Sequence, residues 1–190
     1  FGNIGTFSFF PGKNLGGFGD GGALITNSKK IFETALRLRN HGAKKKYDHK
    51  FPGRNSRLDT LQAAVLNIKL KKYSGVVKKR NKLAKLYIKN LQDCKDIVNV
   101  RISKNYTCAF HQFVIRANKR DNLIKYLKKN GIETMIHYPY MLNELNFFPK
   151  GKNLINSKNL GKKILSLPIS EEHTENEINY VSKKIIQFYN

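Results

Sequence analysis

Lys13 is the side chain in this 190-residue chain whose surroundings could support covalent chemistry. It follows a short apolar run that begins after Ser8, and it precedes a glycine-rich segment that extends to Gly22. Glycines let a backbone come close to a bound molecule. A lysine held away from water has a lowered pKa, and its neutral amine can then attack a carbonyl group. Locally, the sequence leaves two interpretations open: Schiff-base chemistry at Lys13, or a turn lysine with no chemistry.

Two common phosphate-binding motifs do not fit this segment. A P-loop has a glycine five positions before its Gly-Lys pair and Ser or Thr directly after the pair. Here Phe7 and Asn14 occupy those two positions. Residues 17–22 match the glycine pattern of dinucleotide-binding folds, but that pattern belongs between a strand and a helix. In this chain it precedes a predicted strand, so we interpret the match as accidental.

The remaining residues that could bind a metal are scattered along the chain. Cys94 and Cys108 match no metal-ligand spacing, and the five histidines do not pair at helical spacing. We therefore expect no metal site. The cysteine pattern also predicts a reduced, cytoplasmic compartment.

The net charge of +23 is compatible with a basic nucleic-acid-binding module. The basic residues are mainly lysines, with eight arginines, and they are spread over nearly the whole sequence. Surfaces that bind phosphate backbones usually concentrate charge on one face and use arginine for bidentate contacts. A compositional bias toward lysine explains the charge more simply, so we expect no nucleic-acid partner. The charge could still attract anionic small molecules.

No apolar run approaches the roughly 20 residues that cross a bilayer, so we expect no membrane span. The sequence begins without a signal peptide and without an initiator methionine, and we expect it to be a fragment.

Hydrophobic periodicity predicts an α/β fold with two domains. Ser74 and Gly75 interrupt the apolar stripe of a long helix, and we interpret them as the boundary between domains 1–74 and 75–190. We predict strands at residues 6–10, 23–26 (buried), 109–115 and 132–136. We predict helices at residues 28–42, from 58 onward, 120–129, 157–165 and 174–188, the last opened by a capping box at 174–177.

Several ordered motifs resemble the nucleotide-sugar aminotransferases of the DegT/DnrJ/EryC1/StrS family. The matching segments are 8–16, 19–23, 39–42, 53–64, 111–116, 120–121, 131–132, 137–139 and 167–168. The resemblance implies the C-terminal half of an aspartate-aminotransferase-like, fold-type-I enzyme that uses pyridoxal 5'-phosphate. Residues 1–74 would then complete the large cofactor-binding domain, and residues 75–190 would form the small α/β domain.

The resemblance also implies the chemistry. Lys13 aligns with the lysine that forms a Schiff base with pyridoxal phosphate, and Ser8 aligns with a hydroxyl that binds the cofactor's phosphate. Relatives that act as dehydratases carry histidine in place of the lysine, so Lys13 favours amino transfer. The implied reaction moves an amino group from an amino acid, with glutamate as the expected donor, to a keto group of a nucleotide-linked sugar.

Other site residues follow from the same resemblance. Asn55 aligns with an amide that reaches the phosphate in the neighbouring subunit's site, which implies a homodimer with shared active sites. Arg57 lies beside it and is expected to contact substrate. His137 and Tyr138 would approach the sugar nucleotide. The alternative for this pair is a strand end that is turned by Pro139, and both interpretations stay open.

The chain departs from the family in two ways. Family members are much longer, and their N-terminal half supplies the Asp that pairs with the pyridine nitrogen. We therefore expect the chain to be inactive alone, or to be half of a split or truncated enzyme, with exposed apolar surface that favours aggregation. Met141 and Asn143 stand where the family often has Pro and His, which leaves the sugar specificity open. The rival functions are a non-catalytic remnant of such an enzyme and the basic nucleic-acid-binding module.

Overall fold

A computed structural model describes residues 2–103, 105–148 and 154–190 of the chain. The chain divides into two compact units, Phe1–Ser74 and Gly75–Asn190. Their assignment as the end of a large domain and a complete small domain stays a prediction. Within the described ranges, every helix lacks the length or the apolar character needed to cross a lipid bilayer.

The first unit is built on one β-hairpin. Strands β1 (Gly5–Ser8) and β2 (Gly22–Ile25) pair antiparallel, with Ser8 opposite Gly22. Residues 9–21, which include Lys13, form the loop between them. The predicted positions of both strands are confirmed, but the prediction that the second strand is buried is wrong. Every residue of β2 is exposed, since no described element packs on either face of the hairpin closely enough to bury it.

Two helices complete the first unit. Helix α1 (Lys29–Leu38) begins after Ser28, whose Oγ accepts a hydrogen bond from the Ile31 N–H at 3.4 Å, as expected for an N-cap. The helix ends earlier than the predicted Gly42, which instead lies in a turn with a positive φ of 76°. Helix α2 (Thr60–Leu91) starts in this unit and continues into the second.

Helix α2 is continuous through Ser74 and Gly75, where the apolar stripe was predicted to be interrupted, and the two compact units also divide there. A glycine within a helix costs only about 1 kcal/mol relative to alanine, and the helical turns on both sides propagate through it. A Cβ added to Gly75 would meet no atom within 4 Å, so the glycine fills no packing or turn requirement.

The second unit contains a three-stranded antiparallel sheet with helices packed against it. The strands are β3 (Ile97–Asn99), β4 (Phe113–Ala117) and β5 (Ile164–Leu167), in the spatial order β3-β4-β5. The helices are α3 (Arg120–Lys129), α4 (Ile155–Gly161) and α5 (Glu175–Tyr189), with a short 3₁₀ turn at Leu142–Glu144. This mixed α/β architecture agrees with the predicted fold class.

The hydrophobic core of the second unit lies between the sheet and the helices. Leu83, Tyr87 and Leu91 recur at helical spacing on α2 and are fully buried. The Tyr87 ring stacks on Phe113 of β4 with 4.7 Å between ring centroids. The cluster is completed by Ala84, Ile97, Phe110, Ile115, Ala117, Leu123, Leu127, Ile132, Leu165, Leu167, Ile178, Val181 and Ile185.

Three predicted elements of this unit differ from the structure. The predicted strand 109–115 begins four residues later and ends two residues later, as β4. The predicted strand 132–136 is not a strand, and only Met135 forms an isolated bridge, to Ser166. The predicted helix 157–165 is correct for residues 157–161, which lie in α4, but its end is wrong. Ile164–Leu167 forms β5 because it pairs along β4 and buries three of its four residues there.

Arg80 is a buried cation that joins three segments of the second unit. It exposes 8% of its side chain, and its Nε and Nη2 lie 2.9 and 2.8 Å from the Glu171 carboxylate. Its Nη1 donates to the carbonyl oxygens of Phe110 and Ile169 at 3.0 and 3.1 Å. The planar guanidinium therefore ties α2 to the chain before β4 and to the chain after β5.

Helix α5 begins with the predicted capping box. The Thr174 Oγ1 accepts a hydrogen bond from the Glu177 N–H at 3.3 Å, and the Glu177 Oε2 accepts one from the Thr174 N–H at 2.7 Å. Two N–H groups that the first helical turn cannot pair are satisfied in this way.

Replacing Thr174 with alanine should lower the free energy of unfolding by about 1 kcal/mol, because the Glu177 N–H loses its acceptor. Urea titration followed by circular dichroism measures the loss. Thr107→Ala is the matched control, since Thr107 is exposed outside any helix. Equal effects of the two substitutions would contradict a capping role.

Candidate active site

Lys13 and Ser8 are held by the same tight turn at the end of β1. The Lys13 N–H donates to the Phe10 carbonyl at 2.9 Å, which closes the turn. The Ser8 Oγ accepts a hydrogen bond from the Phe10 N–H at 3.3 Å. A hydroxyl that accepts in this way still has its own proton to donate. Lys13 is half-buried and Ser8 is exposed, so a ligand could reach both side chains.

The glycines of the loop are required by close backbone contacts. A Cβ on Gly16 would lie 2.4 Å from the Pro11 carbonyl oxygen, and a Cβ on Gly22 would lie 2.8 Å from the Phe7 carbonyl oxygen. Both distances are too short for any side chain. The loop therefore folds tightly back on the hairpin, and this tight fold fixes the turn that carries Lys13.

Two side chains of helix α2 support this loop from one side. The Gln62 Oε1 accepts a hydrogen bond from the Phe18 N–H at 2.7 Å. The Lys69 Nζ donates to the Gly16 carbonyl at 2.7 Å and lies 5.4 Å from the centroid of the Phe18 ring. A Cβ on Gly17 would lie 2.6 Å from the Gln62 Oε1, so a side chain at this position would displace the end of Gln62. The helix thus orders the backbone that follows Lys13.

Replacing Gln62 with alanine should release this loop, because the Phe18 N–H loses its acceptor. We expect the Phe18 amide to exchange its hydrogen about tenfold faster or more, as the loss of one such bond predicts. Hydrogen exchange followed by NMR measures the rate. Asn67→Ala, at an exposed position of the same helix, is the control and should leave the rate unchanged. An unchanged rate in the Gln62 variant would show that the bond does not order the loop.

Asn55 and Arg57 lie together in the segment that follows α1. The Arg54 N–H donates to the Leu38 carbonyl at 2.8 Å and the Arg54 carbonyl accepts from the His41 N–H at 3.0 Å, so the segment pairs with the end of α1. The Arg57 Nε donates to the Asn55 Oδ1 at 3.0 Å. This bond uses the amide's acceptor and leaves its N–H₂ group beside the guanidinium. Both side chains are exposed, and both carry N–H groups that can donate to a ligand.

His137 and Tyr138 lie in the second unit, next to strand β5. Met135 exchanges two backbone hydrogen bonds with Ser166, at 3.2 and 2.8 Å, and so fixes the chain just before the pair. A ring nitrogen of His137, Nδ1, lies 2.8 Å from the Ser166 Oγ, which orients the imidazole. Tyr138 exposes 68% of its surface.

The predicted site residues thus form three local pairs. Ser8 and Lys13 share a turn of the first unit, Asn55 and Arg57 share an exposed segment of the same unit, and the third pair lies in the second unit. Cavities of about 350 and 300 Å³ occur elsewhere, lined by residues around the start of α3 and by residues of α2 and α5. In the described part of the chain, no three His, Cys, Asp or Glu side chains are grouped as metal ligands would be.

Sequence reasoning did not identify Gln62 and Lys69 as supports of the loop. Their spacing could have indicated it, since residues seven positions apart lie on the same face of a helix. Two polar residues at that spacing, such as Gln62 and Lys69, share one face of α2. Such a pair indicates that this face can form polar contacts with a neighbouring segment.

Residues 1–186 match the profile of the DegT/DnrJ/EryC1/StrS aminotransferase family. The chain belongs to this family. The predicted resemblance is therefore confirmed.

Curated relatives include named transaminases of nucleotide sugars. The chain is 40% identical to the "Pleiotropic regulatory protein" of Geobacillus stearothermophilus, over 99% of this chain and 52% of the relative. It is 37% identical to the dTDP-3-amino-3,4,6-trideoxy-alpha-D-glucose transaminase of Streptomyces venezuelae, over 88% of this chain and 45% of the relative. The chain spans about half the length of the curated relatives it matches.

Solved structures agree with the fold. DesV of Streptomyces venezuelae, described in complex with a ketimine intermediate, superposes with a TM-score of 0.93 at 34% identity, over 98% of this chain and 52% of DesV. NtdA of Bacillus subtilis, described with the bound cofactor PMP, gives a TM-score of 0.86 at 27% identity, over 97% of this chain and 46% of NtdA. The predicted α/β fold class of a sugar aminotransferase is confirmed.

Proposed function

We propose that this chain supplies the lysine-bearing part of a nucleotide-sugar aminotransferase that depends on pyridoxal 5'-phosphate. The reaction transfers an amino group from an amino acid, with glutamate as the expected donor, to a keto group of a nucleotide-linked sugar. The observation that supports the proposal is the turn in which the Lys13 N–H and the Ser8 Oγ both bond to the Phe10 backbone, in a chain that matches an aminotransferase family along nearly its whole length.

The residues present fit a phosphorylated aldehyde cofactor. Ser8 has a hydroxyl proton to donate, and Asn55 has an amide N–H₂ group whose own oxygen is already bonded to Arg57. Such donors suit a phosphate dianion. Lys13 carries a primary amine, which is the group that binds an aldehyde covalently. Together the four side chains offer one amine, on Lys13, and hydrogen-bond donors on Ser8, Asn55 and Arg57. None of the four is a carboxylate.

Each of these side chains has a defined task. When bound, pyridoxal phosphate supplies the electron sink for deprotonation of the substrate carbon. The Lys13 Nζ would hold the cofactor and would move a proton to and from the substrate carbon. The Ser8 Oγ would hold the phosphate by a hydrogen bond, together with the Asn55 Nδ2 from the other copy of the homodimer, and Arg57 would contribute positive charge toward the substrate.

The second unit would contact the sugar nucleotide. The His137 imidazole is oriented by Ser166 through one nitrogen, so its other nitrogen can bind a substrate oxygen. The exposed ring of Tyr138 offers an apolar surface and a hydroxyl. In this proposal residues 1–74 end the large domain, residues 75–190 form the small domain, and two copies form a homodimer in which Asn55 serves the partner's site. The cytoplasmic location stays a prediction.

Borohydride trapping tests the cofactor assignment. The purified chain is incubated with pyridoxal phosphate, reduced with borohydride, digested and mapped by mass spectrometry. We expect the pyridoxyl group on Lys13 at concentrations that leave the exposed Lys29 and Lys71 unlabelled. Labelling spread evenly over the lysines would contradict the proposal. The isolated chain should show no turnover with glutamate and a 3-keto nucleotide sugar, and full turnover would contradict its incompleteness.

A further inference from the structure

Ser166 is a buried residue that holds the chain around His137 in two separate ways. It lies in β5 and exposes 6% of its surface. Its backbone N–H donates to the Met135 carbonyl at 2.8 Å, and its carbonyl accepts from the Met135 N–H at 3.2 Å. Its side chain forms a further bond, in which the Oγ lies 2.8 Å from the His137 Nδ1. The side-chain bond can therefore be removed while the backbone bridge to Met135 stays.

The direction of the bond between Ser166 and His137 follows from the burial of the hydroxyl. Among the described residues, the His137 Nδ1 is the one hydrogen-bond partner of the Ser166 Oγ. A hydroxyl carries a proton that needs an acceptor, and a buried donor without an acceptor is costly. If the Nδ1 donated to the Oγ, the hydroxyl proton would have no acceptor in this part of the chain. The Ser166 O–H therefore donates, and the His137 Nδ1 accepts.

This direction places the single proton of the neutral imidazole on its other nitrogen. In a neutral imidazole one ring nitrogen is a donor and the other is an acceptor. Because the Nδ1 accepts, the Nε2 carries the proton. His137 is half-buried, and within the described ranges its Nε2 has no hydrogen-bond partner. The Nε2–H group is thus left to bind a ligand.

We infer that Ser166 is a positioning residue that makes His137 a hydrogen-bond donor toward the sugar nucleotide. The inference rests on the proposed function, which assigns the sugar-nucleotide contact to His137. The Nε2–H binds an oxygen that has no proton of its own, which is a phosphate or carbonyl oxygen of that substrate. While the Ser166 hydroxyl occupies the Nδ1 lone pair, neither ring nitrogen can take a proton from the substrate. Proton transfer is therefore left to Lys13.

A second serine–histidine pair in the same unit provides a matched control. The Ser170 Oγ lies 2.6 Å from the His173 Nδ1, and it accepts a hydrogen bond from the Glu172 N–H at 3.3 Å. His173 has no part in the proposed function. Ser170→Ala therefore removes a hydroxyl from a histidine without changing the bond to His137.

Nitrogen NMR of the full chain with isotope-labelled histidine tests the inference directly. Protonated and unprotonated ring nitrogens have well separated chemical shifts, and the spectrum of His137→Gln identifies the His137 signals among those of the five histidines. In the wild-type chain at alkaline pH we expect the proton on the Nε2. This spectrum needs no substitution at Ser166, and a proton on the Nδ1 would overturn the inference.

The alanine variants extend the NMR test. In Ser166→Ala a measurable fraction of the proton should move to the Nδ1 of His137, because that nitrogen has lost its donor. Ser170→Ala should leave the His137 signals unchanged. An unchanged proton position in Ser166→Ala would show that the serine does not control the imidazole.

Steady-state kinetics of the active enzyme that contains this chain gives a second readout. Ser166→Ala should raise KM for the nucleotide sugar about fivefold, the effect of weakening one neutral hydrogen bond, and should leave kcat within about twofold. KM for the amino-acid donor should not change, and Ser170→Ala should leave both KM values unchanged. An unchanged KM for the nucleotide sugar in Ser166→Ala, or a fall in kcat alone, contradicts the inference.

His137→Phe separates the inference from the proposed function. If this variant keeps the wild-type KM for the nucleotide sugar, the substrate contact in the proposed function is wrong, while the wild-type NMR spectrum still reports the proton position. If KM rises in His137→Phe but not in Ser166→Ala, the contact stands and the role of Ser166 is wrong.

Discussion

Replacing Lys13 with alanine in the active enzyme that contains this chain should lower the rate of amino transfer at least about a thousandfold. The side chain has two tasks, to hold the cofactor covalently and to move a proton, and loss of a positioned general base alone costs a factor of about 10² to 10⁴. The assay follows formation of the amino sugar from glutamate and a keto nucleotide sugar. Borohydride trapping at this position should also disappear.

The matched control is Lys29→Ala. Lys29 is an exposed lysine at the start of α1, and its loss should leave the rate within about twofold. If the Lys13 variant kept more than a tenth of the wild-type rate, the lysine would not be catalytic. The non-catalytic remnant would then become the better description of this chain.

Replacing Arg80 with alanine should destabilise the second unit by about 3–5 kcal/mol, the range for removing one partner of a buried ion pair. The substitution leaves the Glu171 carboxylate and the carbonyl groups of Phe110 and Ile169 without their donor. Hydrogen exchange of the buried amides of β4 in the full chain reports the loss, because these amides open only with the core.

Two further variants sharpen this prediction. Arg101→Ala, at an exposed position between β3 and β4, should change the stability by less than about 0.5 kcal/mol. Joint replacement with Arg80→Met and Glu171→Leu should recover part of the loss, because the double variant no longer leaves the partly exposed Glu171 carboxylate without its partner. A loss below about 1 kcal/mol for Arg80→Ala would show that the ion pair contributes no more than an exposed one.

Features that depend on local chemistry could be predicted from the sequence. The caps at Ser28 and Thr174 are correct because a cap needs only one side chain and the N–H groups of the next turn. Helix α3 was likewise predicted at its observed bounds, residues 120–129. The residues of the turn around Lys13 could be singled out because glycines and a lone lysine mark it directly in the sequence.

Features that depend on distant partners could not be predicted in this way. Strand β5 forms because Ile164–Leu167 pairs along β4, about fifty residues earlier, and its short apolar run also fits a helix. The support of the lysine loop by Gln62 likewise requires knowing that α2 approaches Phe18. The exposure of β2 reverses the prediction for an apolar strand, since burial depends on what covers the strand and not on the strand's own residues.

The crowding at Gly16 and Gly22 has a genetic consequence. Every missense change in a glycine codon adds at least one carbon atom to the backbone, and at these two positions that atom has no room. Random mutagenesis of this gene should therefore yield null alleles at these two codons. The positions of such alleles would identify residues that the fold of the turn around Lys13 requires. Alleles at the Lys13 codon would instead identify the residue that the reaction requires.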